Sequence, residues 1–129
     1  NQRIAFNYND ASVTRSASDA YAEGRGVCRD YAHLAIAFCR AMNIPARYCT
    51  CYLGDVGTPP PWPPGDFAAS FEAYLEGGWQ MFDPRNNVPR IGRVLIARGR
   101  DAADVAIATT FGPNTLTGFK VWTDEVVEV

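Results

Sequence analysis

No run of apolar residues in this 129-residue chain approaches the ~20 that a membrane-spanning helix needs, so no membrane partner is expected. The formal net charge of −2 is too small to favour a nucleic acid as a partner. No signal peptide is visible, which favours a cytoplasmic location, and we expect a trimmed N-terminus because the chain begins at Asn1 without a methionine. Apolar residues interrupt the one basic concentration, which we interpret as surface and ion-pair arginines: Arg85, Arg90, Arg93, Arg98 and Arg100.

Metal-binding patterns are also missing. Cys49 and Cys51 are two positions apart, unlike the C-x₂-C spacing of structural zinc sites, and His33 is the only histidine. No acidic loop of the kind that binds calcium occurs. We therefore expect no metal and no cofactor. Four cysteines in a chain of this length do not demand a disulfide framework, and Cys39 is interpreted as a small core residue.

The length suits a single domain over residues 1–129, with helices first and an antiparallel sheet after them, which predicts the α+β class. Helices are predicted at 17–23 and 28–42, and the second is apolar nearly all round, which places it in the middle of the fold. Strands are predicted at 46–53, 67–75, 79–83, 93–97 and 119–127. Residues 57–65, rich in proline and glycine, predict a stiff loop, and residues 101–108 are ambiguous between a short helix and a strand.

The clearest local signal is a hairpin, in which residues 67–75 alternate, Glu76-Gly77-Gly78 turns and residues 79–83 return. A turn at Glu76-Gly77 places Asp83 opposite Ser70, whereas a turn at Gly77-Gly78 places it opposite Glu72. Either register puts four residues on one face of the sheet: Ala68, Ser70, Glu72 and Asp83.

Cys28 stands at the start of the longer helix. Unpaired backbone N–H groups and the positive end of the helix dipole stabilise a thiolate there. Arg29 adds a nearby positive charge, and Gly26 lets the preceding loop pass close to the helix end. Taken alone, this pattern is more typical of a buried structural cysteine than of a nucleophile.

Five longer motifs occur in order along the chain. They are Gly26-Val27-Cys28-Arg29-Asp30-Tyr31-Ala32-His33-Leu34, Asn43-Ile44-Pro45-Ala46-Arg47-Tyr48, Asp66-Phe67 with Phe71-Glu72-Ala73-Tyr74-Leu75, Phe82-Asp83-Pro84-Arg85, and Gly99-Arg100-Asp101-Ala102-Ala103-Asp104-Val105. Together they resemble the bacterial transglutaminase-like superfamily. The resemblance implies a papain-like core, with a cysteine-headed helix packed on an antiparallel sheet. It also implies a peptide or protein amide substrate, with Cys28 as the nucleophile and Asp83 orienting a histidine.

One position departs from that resemblance. The family histidine stands between the Asp-Phe pair and the Phe-Glu motif, and this sequence has Ala68 there. The family tryptophan two residues later is replaced by Ser70. Alanine can neither accept the thiol proton nor donate one to a leaving amine. Losing a general base or acid forfeits ~10²–10⁴ in rate.

Candidate supporting residues are few. His33 lies about 140° round the helix from Cys28, so the two side chains do not share a face and we expect a hydrogen-bonded structural role for it. Glu72 could act as a base if burial raised its pKa, although an ion pair is the more typical role. Ser70 lies on the same hairpin face. Asn86 could orient a water molecule, but loop asparagines usually shape turns.

Three hypotheses remain open from the sequence. The first is an enzyme that transfers acyl groups through a Cys28 thioester, as an amidase, a peptidase or a cross-linking enzyme. The second is a catalytically impaired binding or regulatory module that keeps the fold and the peptide groove. The third is that residue 68 has been altered, or that the histidine comes from chain beyond this sequence. Oligomeric state is not indicated.

Overall fold

The computed structural model describes residues 2–63 and 65–126. Two helices are present, α1 (Ala17–Glu23) and α2 (Cys28–Ala41), with short 3-10 helices at Tyr8–Asp10 and Ala102–Val105. The strands are β1 (Ala5–Phe6), β2 (Arg25–Gly26), β3 (Ala46–Leu53), β4 (Asp66–Leu75), β5 (Gly78–Phe82) and β6 (Arg93–Gly99). None of the helices in these ranges is long and apolar enough to cross a membrane.

Strands β3 to β6 form one antiparallel sheet in the order β5-β4-β3-β6, as the α+β class predicts. The strand at 93–97 extends two residues further, to Gly99. A small parallel pair, β1 with β2, precedes α2 and was not predicted, because two-residue strands carry no period that a sequence pattern can show.

Helix α2 packs against one face of the sheet, where Ala32 and Ile36 of the helix meet Ala69, Phe71 and Ala73 of β4. The helix ends at Ala41, one residue earlier than predicted. The expectation that it is buried on all sides is wrong. Helix α1 covers α2 only in part: Phe38 is 54% exposed although the Tyr21 ring contacts it, and Met42, just after the helix end, is 72% exposed.

The β4–β5 hairpin turns at Glu76-Gly77, with Leu75 paired to Gly78. Both turn residues have positive φ, 51° and 84°, which is the type I′ geometry that suits the twist of a two-residue hairpin. The first of the two predicted registers is therefore correct. Strand β5 ends at Phe82, opposite Phe71, so Asp83 follows the strand and is not part of it.

The C-terminal part of the chain differs from the prediction. No strand forms over residues 119–126; Val121 makes only an isolated bridge to Gly65, and residue 127 lies outside the described residues. Phe119 instead packs against Phe67, with the two rings tilted, so an aromatic contact and a single bridge hold this segment. The ambiguous segment after Gly99 forms the 3-10 helix Ala102–Val105, which packs on β3 and β6.

The face of the sheet away from α2 is covered by charged side chains. Glu72 accepts hydrogen bonds from Arg47 and Arg98, and the Arg47 guanidinium lies 4.0 Å from the centre of the Trp79 ring. Four of the five arginines of the basic concentration form ion pairs, in agreement with the interpretation as surface and ion-pair arginines: Arg90, Arg93, Arg98 and Arg100.

Candidate active site

The loop before Cys28 is shaped by a buried carboxylate. Asp30 accepts a hydrogen bond from the Val27 backbone N–H at 2.8 Å, and its side chain is fully buried. A Cβ on Gly26 would come within 2.5 Å of the Asp30 carboxylate oxygen and 2.7 Å of its Cβ. Glycine at 26 is therefore required for the loop to pass beside Asp30 and to start α2 at Cys28.

Two arginines tie the N-terminal segment to the same point. Arg15 lies 3.4 Å from the Asp30 carboxylate, and Arg29 donates to the carbonyl oxygens of Val13 and Arg15, both at 3.0 Å. These bonds hold residues 13–17 beside the head of α2, where they form one wall of a cleft that opens onto Cys28.

The sulfur of Cys28 lies at the edge of β4. Because β5 pairs only with residues from Phe71 onward, the N-terminal half of that edge is left for the helix head. The backbone N–H groups of Ala69 and Arg29 both stabilise the thiolate form of Cys28. This is the arrangement expected of a cysteine at a helix start.

The acidity of Cys28 differs from the expectation. Burial raises the pKa of the Cys28 thiol, and Asp66 adds to this increase. The two backbone N–H groups and the Arg85 guanidinium act in the opposite direction but do not outweigh burial. Desolvation penalises the charged form of the thiol more than the helix head stabilises it.

The cation that acts on Cys28 is Arg85, whereas Arg29 was predicted. The Arg29 side chain turns toward the N-terminal segment, and the Arg85 guanidinium lies 3.7 Å from the centre of the Phe6 ring and 5.7 Å from that of Tyr8. Arg85 belongs to the Phe-Asp-Pro-Arg motif after β5. The motif was the sequence signal that could have identified Arg85. Its role near Cys28 depends on the fold, which brings β1 and this turn together.

Asp83 is held by other partners. It accepts hydrogen bonds from the Asn86 backbone at 3.0 Å and side chain at 2.7 Å, and it forms an ion pair with Arg93. Burial opposes the ionisation of Asp83, but these donors outweigh it and lower its pKa. No hydrogen bond or ion pair among the described residues joins Asp83 to Cys28. Asn86 therefore supports Asp83 and does not face the thiol.

The residues on the far side of β4 do not provide a base. The alternation of β4 turns Ala68, Ser70 and Glu72 away from α2, and the Ser70 hydroxyl lies 3.2 Å from the Cys51 sulfur. Hydrogen bonds from Arg98 lower the pKa of Glu72, and those from Arg47 add to the effect. The alternative of Glu72 as a base with a raised pKa is therefore wrong.

His33 lies in the cleft. Its Nε2 atom accepts a hydrogen bond from the Ala102 backbone N–H at 3.1 Å, and its ring centre is 5.1 Å from that of Tyr48. Burial lowers the pKa of His33, and Arg29 adds to that effect. The neutral ring therefore carries its proton on Nδ1 and holds the start of the second 3-10 helix.

The cleft beside Cys28 has a volume of about 850 Å³. Its walls are residues 13–17, one face of α2, part of β3 and the N-terminal part of β4, and the chain around the second 3-10 helix. Both Ala68 and Ala69 line it. Within the described ranges, no group of three or more His, Cys, Asp or Glu side chains could hold a metal ion.

Comparison with known proteins agrees with this architecture. A crystal structure from Cytophaga hutchinsonii, of a protein provisionally named a cysteine protease, superposes with a TM-score of 0.75 at 41% identity, over 95% of this chain and 44% of that one. Uncharacterized protein ML0607 of Mycobacterium leprae is 38% identical over 100 residues, which are 73% of this chain and 34% of that protein. The chain thus spans less than half the length of either relative. The sequence model of the Transglutaminase-like superfamily matches residues 1–84. The fold has the papain-like arrangement that the motifs implied, in which a cysteine-headed helix packs on an antiparallel sheet. This chain belongs to the transglutaminase-like superfamily.

Proposed function

We propose that this domain binds a peptide or protein amide at Cys28 and is built to transfer its acyl group through a Cys28 thioester, a step impaired by alanine at position 68. The observation that carries the proposal is the placement of the Cys28 sulfur. It lies at the head of α2, with two backbone N–H groups directed at it, and it opens onto a cleft large enough for a peptide. Pockets of several hundred Å³ are typical of substrate sites.

The proposed step uses the thiolate of Cys28. Its sulfur attacks the amide carbonyl carbon, the C–N bond breaks, and the leaving amine takes up a proton. Attack by water on the thioester then gives hydrolysis, whereas attack by an amine gives cross-linking. The thiol proton must first leave, and the described site offers no imidazole that faces Cys28 to receive it.

The resemblance places that group at position 68. The alternation of β4 turns this side chain off the face that meets α2, but Ala68 lines the cleft at the strand edge next to Cys28. The nitrogen of Ala69, which stabilises the Cys28 thiolate, is bonded to the carbonyl carbon of residue 68. Residue 68 is therefore the immediate neighbour of the backbone group that contacts the sulfur. Alanine is too short to reach the sulfur and has no titratable group.

The second candidate function is a binding or regulatory module without turnover. The raised pKa of Cys28 and the engagement of Asp83 by Arg93 favour it. The two candidates share the cleft and differ only in whether the thioester forms.

Turnover of a panel of glutamine peptides and simple amides tests the proposal. The Ala68→His variant should gain ammonia release or amine incorporation by ~10²–10⁴ over the unmodified chain, because it restores a general base beside the thiol. Cys28→Ser in the Ala68→His background is the matched control and should remove the gain. If Ala68→His folds and shows no gain in turnover on any substrate, the acyl-transfer proposal is wrong and the binding module is favoured.

A further inference from the structure

One face of α2 presents a row of residues to the cleft. Arg29, His33, Ile36 and Arg40 all line it, and their spacing of three to four residues places them on one side of the helix. Arg29 and Arg40 are about three turns apart, or roughly 16 Å along the helix axis. The cleft therefore extends along the helix from the nucleophile to Arg40.

Most of the charged side chains that line this cleft are cationic, although the whole chain carries −2. Its charged lining residues are four arginines and one aspartate: Arg15, Arg29, Arg40, Arg100 and Asp101. Three of these arginines are paired with carboxylates that do not line the cleft. Arg15 pairs with Glu23 and Asp30, Arg29 pairs with Asp30, and Arg100 pairs with Asp104. The uncompensated positive charge of the lining is therefore concentrated at Arg40, and such a charge attracts ligands of the opposite sign.

Arg40 is the cation at the far end of the cleft. It is exposed, and its Nη2 atom donates to the carbonyl oxygens of Ala46 at 3.0 Å and Arg100 at 2.7 Å. Carbonyl groups orient a guanidinium without cancelling its charge. Among the ion pairs of the described residues, none involves Arg40.

The floor between the two ends is apolar. Ile36, Tyr48 and Val105 are buried there, and Ile107 at the rim is 49% exposed. A ligand that fills the cleft thus meets cations at its ends and hydrocarbon in its middle.

We propose that the ligand of this cleft is an acidic peptide, which lies extended along α2 with apolar side chains on the floor and an aspartate or glutamate at Arg40. An extended chain rises about 3.3 Å per residue, so the acidic residue lies about five positions from the residue held at Cys28. The placement of the reacting amide at Cys28 rests on the proposed function. The recognition of the acidic residue does not, because it needs no chemistry at the sulfur.

Binding of fluorescein-labelled peptides to the Cys28→Ser variant, followed by fluorescence polarisation, tests this inference without any acyl transfer. Each peptide has one central glutamine, and one glutamate is moved stepwise along it on either side, up to about seven positions away. The tightest binding is expected near the fifth position. Replacing that glutamate with glutamine should weaken binding roughly tenfold, and added salt should reduce the difference. Equal affinity for the acidic and the amide peptides overturns the inference.

Arginine variants localise the effect. Arg40→Gln should remove the preference for the acidic peptide, whereas Arg25→Gln, at an exposed arginine that does not line the cleft, should keep it. Equal weakening by both variants indicates nonspecific attraction and overturns the inference. Arg40→Gln also loses bonds to the backbone, so a second pair is needed in case it fails to fold. Ala103→Glu adds a negative charge to the cleft and should weaken acidic-peptide binding relative to Ala103→Gln; equal binding by this pair overturns the inference as well.

If the peptide binds as expected but Ala68→His shows no turnover, the acyl-transfer proposal fails and the acidic-peptide site stands. If turnover appears without a preference for acidic peptides, the acidic-peptide site fails and the acyl-transfer proposal stands.

Discussion

The ionisation of Cys28 can be measured directly by following its alkylation with iodoacetamide against pH. Cys39 is also partly exposed, so a Cys39→Ser background is needed, whereas Cys49 and Cys51 are fully buried and do not compete in the folded protein. In this background the labelling rate reports the thiolate fraction of Cys28.

The magnitude follows from the surroundings of the sulfur. Burial, with a smaller contribution from Asp66, raises the pKa of Cys28 above its reference of 9.0. At pH 7 the thiolate fraction is then below about 1%, and the rate should rise about tenfold per pH unit with no plateau below pH 9. A cysteine activated by an imidazolium would be mostly ionised at pH 7, and it would label roughly 100-fold faster.

Variants of the two charged residues that act on the Cys28 thiol separate the causes. Arg85→Gln should slow labelling at pH 7, because it removes the cation that favours the thiolate, and Asp66→Asn should speed it. A labelling midpoint clearly below pH 8.5 in the unmodified chain would refute this reasoning, since it would mean that the helix head outweighs burial.

Three other perturbations have defined outcomes. Glu72→Gln should lower the free energy of unfolding in urea by about 1–3 kcal/mol at neutral pH, because two arginines lose their carboxylate. The pKa of Glu72 is lowered in the fold, so this difference should begin to shrink as the pH falls below the reference of 4.5 and should be lost once the pH is below the lowered pKa. A difference that does not change with pH in this acidic range contradicts the ion-pair account. Gly26→Ala should cost about 2 kcal/mol because its Cβ overlaps Asp30, whereas Gly118→Ala, with no atom near its Cβ, should stay within ~0.5 kcal/mol. The pKa of His33 lies below its reference of 6.5, so the unfolded chain binds more protons and stability should fall as the pH drops below about 6.5. His33→Gln should reduce this loss of stability, measured as the urea midpoint of unfolding against pH. An unchanged pH dependence means that other groups cause the loss.

The parts of the fold that follow from short-range patterns were predictable. The hairpin around Glu76-Gly77 and the start of α2 at Cys28 depend on turn residues and helix signals within a few positions. The expected strand at residues 119–127 was wrong because β-favouring residues form a strand only when a partner edge is open to them. Here Val121 reaches only Gly65.

The site was less predictable than the fold. The resemblance supplied Cys28 and Asp83 as candidates, but whether a thiol is acidic depends on burial, which a sequence pattern does not measure. The contribution of Arg85 depends on β1 lying beside the turn after β5, and that is a contact between distant parts of the chain. Arg93 was interpreted as one of the surface and ion-pair arginines, but the sequence pattern did not identify Asp83 as its partner.

The wall of the cleft formed by residues 13–17 is anchored through main-chain carbonyl oxygens, to which Arg29 donates. Every amino acid carries such an oxygen, so the side chains of Val13 and Thr14 can change without loosening the wall. Because those side chains border the cleft, this segment can vary the shape of the ligand site while the backbone stays in place. A fold anchored in this way can acquire new ligand preferences through single substitutions that leave its stability nearly constant.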